Sequence, residues 1–185
     1  MKQVIVTLLV LVIVGLAGVM IFVYSGVYNV AASEEHSDLE IWLLDKMLDN
    51  SIQARTGEIT APDLSDSSMI LAGYRSFDAM CVQCHGAPGV GRDAFAQGLN
   101  PIAPSLSEEA GEYSAETLFW VTKHGVKFTG MPSFGASHSD QAIWEIIAFM
   151  KQLPELGYYD YLEFEQSWAA ADTAAPGDGH EGHEH

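Results

Sequence analysis

The sequence predicts an all-α protein in which one membrane-spanning helix precedes a small helical body. Three observations carry that reading. An uncharged apolar run occupies Val4 to Tyr24; apolar residues beyond it recur at three- and four-residue spacing in separate segments; and no strand-like alternation of useful length follows the run.

The run VIVTLLVLVIVGLAGVMIFVY, residues 4–24, holds no charge. At 1.5 Å per residue it crosses a hydrocarbon core of about 30 Å. It exceeds the apolar part of an ordinary signal peptide, so an uncleaved anchor is expected over residues 1–30. Val30-Ala31-Ala32 has the composition of a cleavage site but ends eight residues beyond the run. Lys2 and the amino terminus form the whole positive flank, and the acidic stretch from Glu34 does not oppose an exported body. Gly15 and Gly18 read as ordinary small residues of a membrane helix.

Residues 31–65 form the next unit. Within it, 36–55 reads as a helix whose Leu39, Trp42, Leu43, Met47 and Leu48 share a face, with Asp38, Glu40, Asp45 and Asp49 on other faces. It is too charged to span a membrane. It can pack on the body, on a partner or near the interface. Thr56 to Pro62 reads as a linker.

The third unit, 66–153, holds three further helices. Ser67 to Met80 carries Met69, Ile70, Gly73, Phe77 and Met80 as inner candidates. Ser114 to His124 is the next. Ser137 to Leu153 follows, with Ser137 and Asp140 in capping-box register, Ile143, Trp144, Ile147 and Met150 inward, and Pro154 as its stop. Between the first two, Cys84 to Pro104 contains four glycines and three prolines, a composition for a loop wrapped round something. A body of this size is marginal on side chains alone, and a large apolar cofactor would complete its core. Residues 154–185 are an extension. Its last part, 169–185, lacks apolar periodicity and is expected to be disordered. His180, His183 and His185 there form either a weak metal-scavenging tract or, on the blander reading preferred here, part of a solubilising end.

Asp and Glu total 25 against 8 Lys and Arg, a net charge of -17. Such a chain is repelled by nucleic acid and anionic headgroups and attracted to basic partners. A nucleic-acid role is therefore excluded from the expectations.

The chemistry sits at Cys81-Val82-Gln83-Cys84-His85. Two thiols three positions apart can form thioethers with both vinyl groups of one porphyrin, and the following histidine is placed beneath the iron. A structural zinc site would need further close ligands, and His124 and His138 are isolated. A dithiol redox pair would expect an α/β body. One covalent haem c is thus expected, linked at Cys81 and Cys84 with His85 as an axial ligand. Met131, in Gly130-Met131-Pro132, is the first candidate for the other axial position. It lies in a loop between helices, and Pro132 disfavours helix there. Core filling is the ordinary alternative for a methionine, and His124 and His138 are competing ligands.

On these residues the chain resembles a class I monohaem c-type cytochrome, in particular the membrane-anchored bacterial branch similar to the haem-bearing subunits of cbb3-type oxidases. CVQCH carries the resemblance, with Gly73 and Phe77 eight and four residues before Cys81 and Ile146-Ile147-Ala148-Phe149-Met150-Lys151 as the terminal-helix signature. It implies the class I cytochrome c fold, a close crossing of the first and last helices at Gly73, and a proline carbonyl accepting from His85. Pro104 is the match for that proline and Pro101 a weaker one. It also implies the periplasmic side of a bacterial inner membrane.

The functional expectation is a tethered one-electron carrier with His85/Met131 ligation in a respiratory-type chain. The alternative is a fixed cytochrome subunit of a larger membrane oxidoreductase. A haem enzyme or gas sensor, which needs an open sixth site, ranks last. Partners are the membrane, through residues 4–24, and a basic or membrane-bound redox protein.

Overall fold

The computed structural model describes residues 1–174 and divides the chain into two compact units, Met1–Glu35 and the part from His36 onward. The described residues are helix, turn and loop, with no strand beyond an isolated bridge between Ala87 and Val90.

The first unit is helix α1, Lys2–Ser25, closed by Gly26 in the left-handed conformation. None of its residues is buried. At 24 residues it is about 36 Å long, sufficient for a bilayer core.

The second unit begins with α2, Asp38–Thr56. Ser37 caps it reciprocally with Glu40: the Glu40 N–H donates to Ser37 Oγ at 3.4 Å and the Ser37 N–H donates to Glu40 Oε2 at 2.7 Å. Leu44, Leu48 and Ile52 are half-buried one turn apart, on the helix that packs against α6 (Ala115–His124). The stripe formed by Leu39, Trp42, Leu43 and Met47 stays exposed. The expected linker is not free either. Ile59, Ala61 and Leu64 pack on the core, and the Ala61 N–H meets Glu116 Oε1 at 3.4 Å.

Helix α3, Ser67–Met80, starts at Asp66, whose carboxylate accepts from the Ser68 N–H at 2.8 Å. The Ser68 hydroxyl, donating to the same carboxylate at 2.7 Å, and then the cap bond hold the Asp66 carboxyl below its usual range. Its main partner is α7, Asp140–Met150. They cross where Gly73 lies: a Cβ there would fall on the Glu145 carbonyl and touch the Phe149 side chain. Around this crossing Phe77, Ile143, Ile146, Ile147, Phe149 and Leu153 are fully buried. After the single turn α5, Leu106–Glu109, helix α6 completes the layer, its Phe119 stacked on Trp144 at 4.1 Å.

Three details depart from the sequence reading. Helix α7 is capped by Ser139, which accepts from the Ala142 N–H at 3.2 Å, rather than by Ser137. Ser137 ends the 3-10 turn Phe134–Ala136 and contacts the Phe134 carbonyl instead, so the cap lies two residues beyond the expected one, and with Ala142 as its N–H partner it is a single cap and not the expected capping box. Tyr74, absent from the expected inner set, is buried on α3. A last helix, α8 at Tyr158–Ala174, runs past the expected start of disorder at 169.

Its aromatic residues explain that helix. Tyr161 donates to Asp78 Oδ1 at 2.7 Å, Phe164 stacks on Tyr74 at 5.7 Å, and the Arg75 guanidinium lies over Trp168 at 4.7 Å. Tyr161, Phe164 and Trp168 therefore cover the body of their own chain, while Tyr158 and Tyr159 stay exposed. His180, His183 and His185 lie outside the described residues.

Candidate functional site

Cys81 is the C-cap of α3, and its N–H donates to the Phe77 carbonyl at 2.8 Å. The single turn α4, Val82–His85, follows at once, with the N–H groups of Cys84 and His85 both directed to the Cys81 carbonyl at 3.1 and 2.9 Å. CVQCH is thus one continuous turn that presents both thiols and the imidazole from a single helix end. Gly86 then takes φ 70°, which only glycine adopts freely, and a Cβ there would press on the Val90 carbonyl. The loop is pinned behind it by the Asp93 N–H on the Gln83 carbonyl at 2.9 Å.

Both cysteines are unpaired, and burial together with the Cys84 neighbour pushes the Cys81 thiol up to about 12. His85 Nδ1 lies 2.9 Å from the Pro104 carbonyl oxygen. A carbonyl only accepts, so Nδ1 carries the hydrogen and Nε2 keeps its lone pair. Burial pulls the His85 pKa below its ordinary value, Arg92 acts the same way, and the Pro104 bond and Glu109 oppose it. The ring is therefore held neutral with one nitrogen available to a metal.

Met131 sits in a loop in which both of its own backbone groups are hydrogen-bonded. Its N–H donates to Thr129 Oγ1 at 3.0 Å, its carbonyl accepts from the Val126 N–H at 3.2 Å, and Thr129 Oγ1 donates to the Val126 carbonyl at 2.9 Å. Gly125, at φ 67°, lets the loop fold back; a Cβ there would strike Met131 and Pro132. The fold brings Met131 near His85. The two competing histidines are placed otherwise. His124 ends α6 with its ring 5.0 Å from Trp120, beside a groove shared with Arg55 and Glu58. His138 Nδ1 lies 2.9 Å from Ser137 Oγ. Among the described residues no cluster of three or more His, Cys, Asp or Glu could hold a metal ion.

Sequence reasoning missed Arg92. Its Nη2 donates to the Ala103 carbonyl at 2.7 Å, while its Nε is buried with no hydrogen-bond partner. An orphaned guanidinium nitrogen close to His85 is costly unless something anionic joins it. A haem brings two carboxylates, so the orphan, the free thiols and the open Nε2 all fit that group. The available signal was a single basic residue inside a glycine-rich loop.

The CxxCH spacing and the nearness of His85 and Met131 support a single covalently bound haem c. No curated protein matches the chain. The segment from α3 to the end of α7, which contains the cysteine pair, His85, Pro104, Arg92 and Met131, matches a protein-family model: residues 68–150 fit cytochrome c oxidase, cbb3-type, subunit III.

Proposed function

We propose that this protein is a haem c subunit of a membrane oxidoreductase complex, passing single electrons rather than catalysing a reaction alone. The observation that carries the proposal is the match of residues 68–150 to a family of oxidase subunits. It shifts the balance from the free carrier expected on sequence toward the fixed subunit held as its alternative. Helix α1 supports attachment as a single-pass bacterial membrane protein.

In this reading Cys81 and Cys84 would hold the cofactor through thioethers, and His85 Nε2 and Met131 Sδ would be the ligands to its iron. When bound, haem c supplies one-electron exchange at that iron. The chain's own residues do the rest. The Pro104 carbonyl fixes the His85 tautomer and ring orientation and raises its basicity as a ligand. Thr129 and Val126 hold the Met131 backbone so that its side chain is presented without local search. Arg92 offers its orphaned Nε to a carboxylate. With His85 and Met131 both offered as ligands, the bound group would have no ligand position left for a substrate, which supports electron transfer over catalysis. The anchor and its positive flank, Lys2 with the amino terminus, support placing residues 66–153 on the extracytoplasmic side.

Purification from native membranes in mild detergent tests the reading. A subunit brings stoichiometric companions through successive columns; a protein that emerges alone is a tethered carrier, and the proposal is then wrong.

A further inference from the structure

Helix α2 has two apolar sides, and the fold uses one. Leu44, Leu48 and Ile52 are half-buried on the helix that packs against α6. On the other side Leu39, Trp42, Leu43 and Met47 are 70, 59, 48 and 56 % exposed. Residues 39, 43 and 47 are successive i, i+4 positions, with Trp42 beside them, so they form one continuous stripe. An aromatic and three long aliphatic side chains in one stripe make an apolar patch of the kind that marks an interaction site. The stripe is not an end effect of a fraying helix, since the Ser37–Glu40 box fixes its first turn.

The surroundings narrow the occupant. Over residues 38–56 the helix carries Asp38, Glu40, Asp45 and Asp49 against Lys46 and Arg55. A helix built to lie on lipid carries Lys and Arg on its polar face, so this one is the wrong sign for an anionic headgroup surface. A second copy would set one acidic frame against another. A protein surface with an apolar groove and basic rim satisfies both the stripe and its frame. Residues 26–37 alone join α2 to the membrane helix, and twelve residues span at most about 40 Å, so chain length keeps α2 tethered within that reach of a membrane-embedded partner.

We infer that the Leu39–Trp42–Leu43–Met47 stripe is the docking face for a membrane-embedded companion subunit that presents an apolar groove edged by basic side chains. This rests on the subunit reading above and adds the place where the subunit is held.

The test uses full-length protein in native membranes. Trp42→Gln with Met47→Gln should reduce the retained companion at least tenfold in mild detergent, with the haem spectrum and thermal midpoint unchanged. Tyr159→Gln, at another exposed aromatic, should retain it. Asp45→Asn with Asp49→Asn should also weaken retention, and the wild-type complex should loosen with salt. A photo-crosslinker at position 43 should label that same stoichiometric companion, on a segment bearing Lys or Arg. If the wild type brings a companion that W42Q/M47Q keeps, the docking face is wrong while the subunit reading stands. A label found only on lipid or on a second copy of this chain overturns the docking face too. If the wild type emerges with no companion, both readings fall.

Discussion

Met131 and Gly73 show two ways in which a single side chain decides the behaviour of this protein. Met131 has its N–H and carbonyl tied to Thr129 and Val126, so its replacement by alanine removes the sulfur without releasing the loop. Met131→Ala should abolish the weak near-infrared absorption of a ferric iron–sulfur bond, lower the reduction potential and open the iron to carbon monoxide. His124→Ala should leave all three unchanged, and absorption that survives in M131A but vanishes in H124A would reverse the ligand assignment. Gly73 acts through absence, because a Cβ there falls on the Glu145 backbone carbonyl, which cannot rotate away. Gly73→Ala gains about 1 kcal/mol of helix propensity but forces two packed helices apart. A net loss of about 1–3 kcal/mol is expected, read as a lower denaturant midpoint of the haem-loaded protein; a midpoint at or above wild type would sink the close-crossing argument. At this scale the residues tied by local covalent spacing were legible: CVQCH declares itself in five letters. Arg92 and Thr129 were not, because their roles depend on carbonyls that only the closed loop brings within reach.

Helices announce themselves when a cap and a period agree, and α3 after Asp66 and α6 after Ser114 meet that condition. The cap of α7 was misplaced by two residues because Ser137 and Ser139 both precede the apolar period, and only the fold shows which one has helical N–H groups in front of it. Helix α8 was not recognised as an element. Its partners, Tyr74, Arg75 and Asp78, lie more than eighty residues earlier, and no local signal reports them. That interface has a pH signature. Tyr161 is held protonated well above its ordinary value by burial and then by Asp78, and Tyr74 is pushed up to about 12 by burial with Asp78 and Glu165. Above the ordinary tyrosine value of 10.0 the folded state keeps protons that the unfolded chain loses, so stability must fall as pH rises. The stabilisation is complete below pH 10 and declines as pH climbs through about 12. Denaturant midpoints taken across that range should fall steadily in the wild type. Tyr161→Phe should cost about 1 kcal/mol near neutrality, since the Asp78 side of the bond is exposed, and should flatten the alkaline decline. An equally steep decline in the variant would remove Tyr161 from its cause.

Charge and tether belong to the whole molecule, and both were legible because they need no tertiary contact to be read. Beyond Tyr24 the chain has 25 acidic and 7 basic residues, a formal charge of -18. A body so charged that met its redox partner by diffusion would depend on long-range attraction. Salt shortens the reach of that attraction to about 10 Å at 0.1 M. Its bimolecular electron-transfer rate with a basic acceptor should then fall by about 10-fold or more between low and physiological ionic strength. A body already docked on a companion has no encounter to lose, so transfer within the complex should be nearly independent of salt. The two units give a way to make both measurements on one protein. A protease site placed within residues 26–36 should release the part from His36 onward from α1. Flash-initiated transfer in the intact native complex should show one salt-independent phase. The released body, mixed with a basic acceptor, should show a concentration-dependent phase that salt suppresses steeply. A steep salt dependence in the intact complex would mean that the protein still searches for its partner at each turnover. The tether would then confine a carrier instead of seating a subunit.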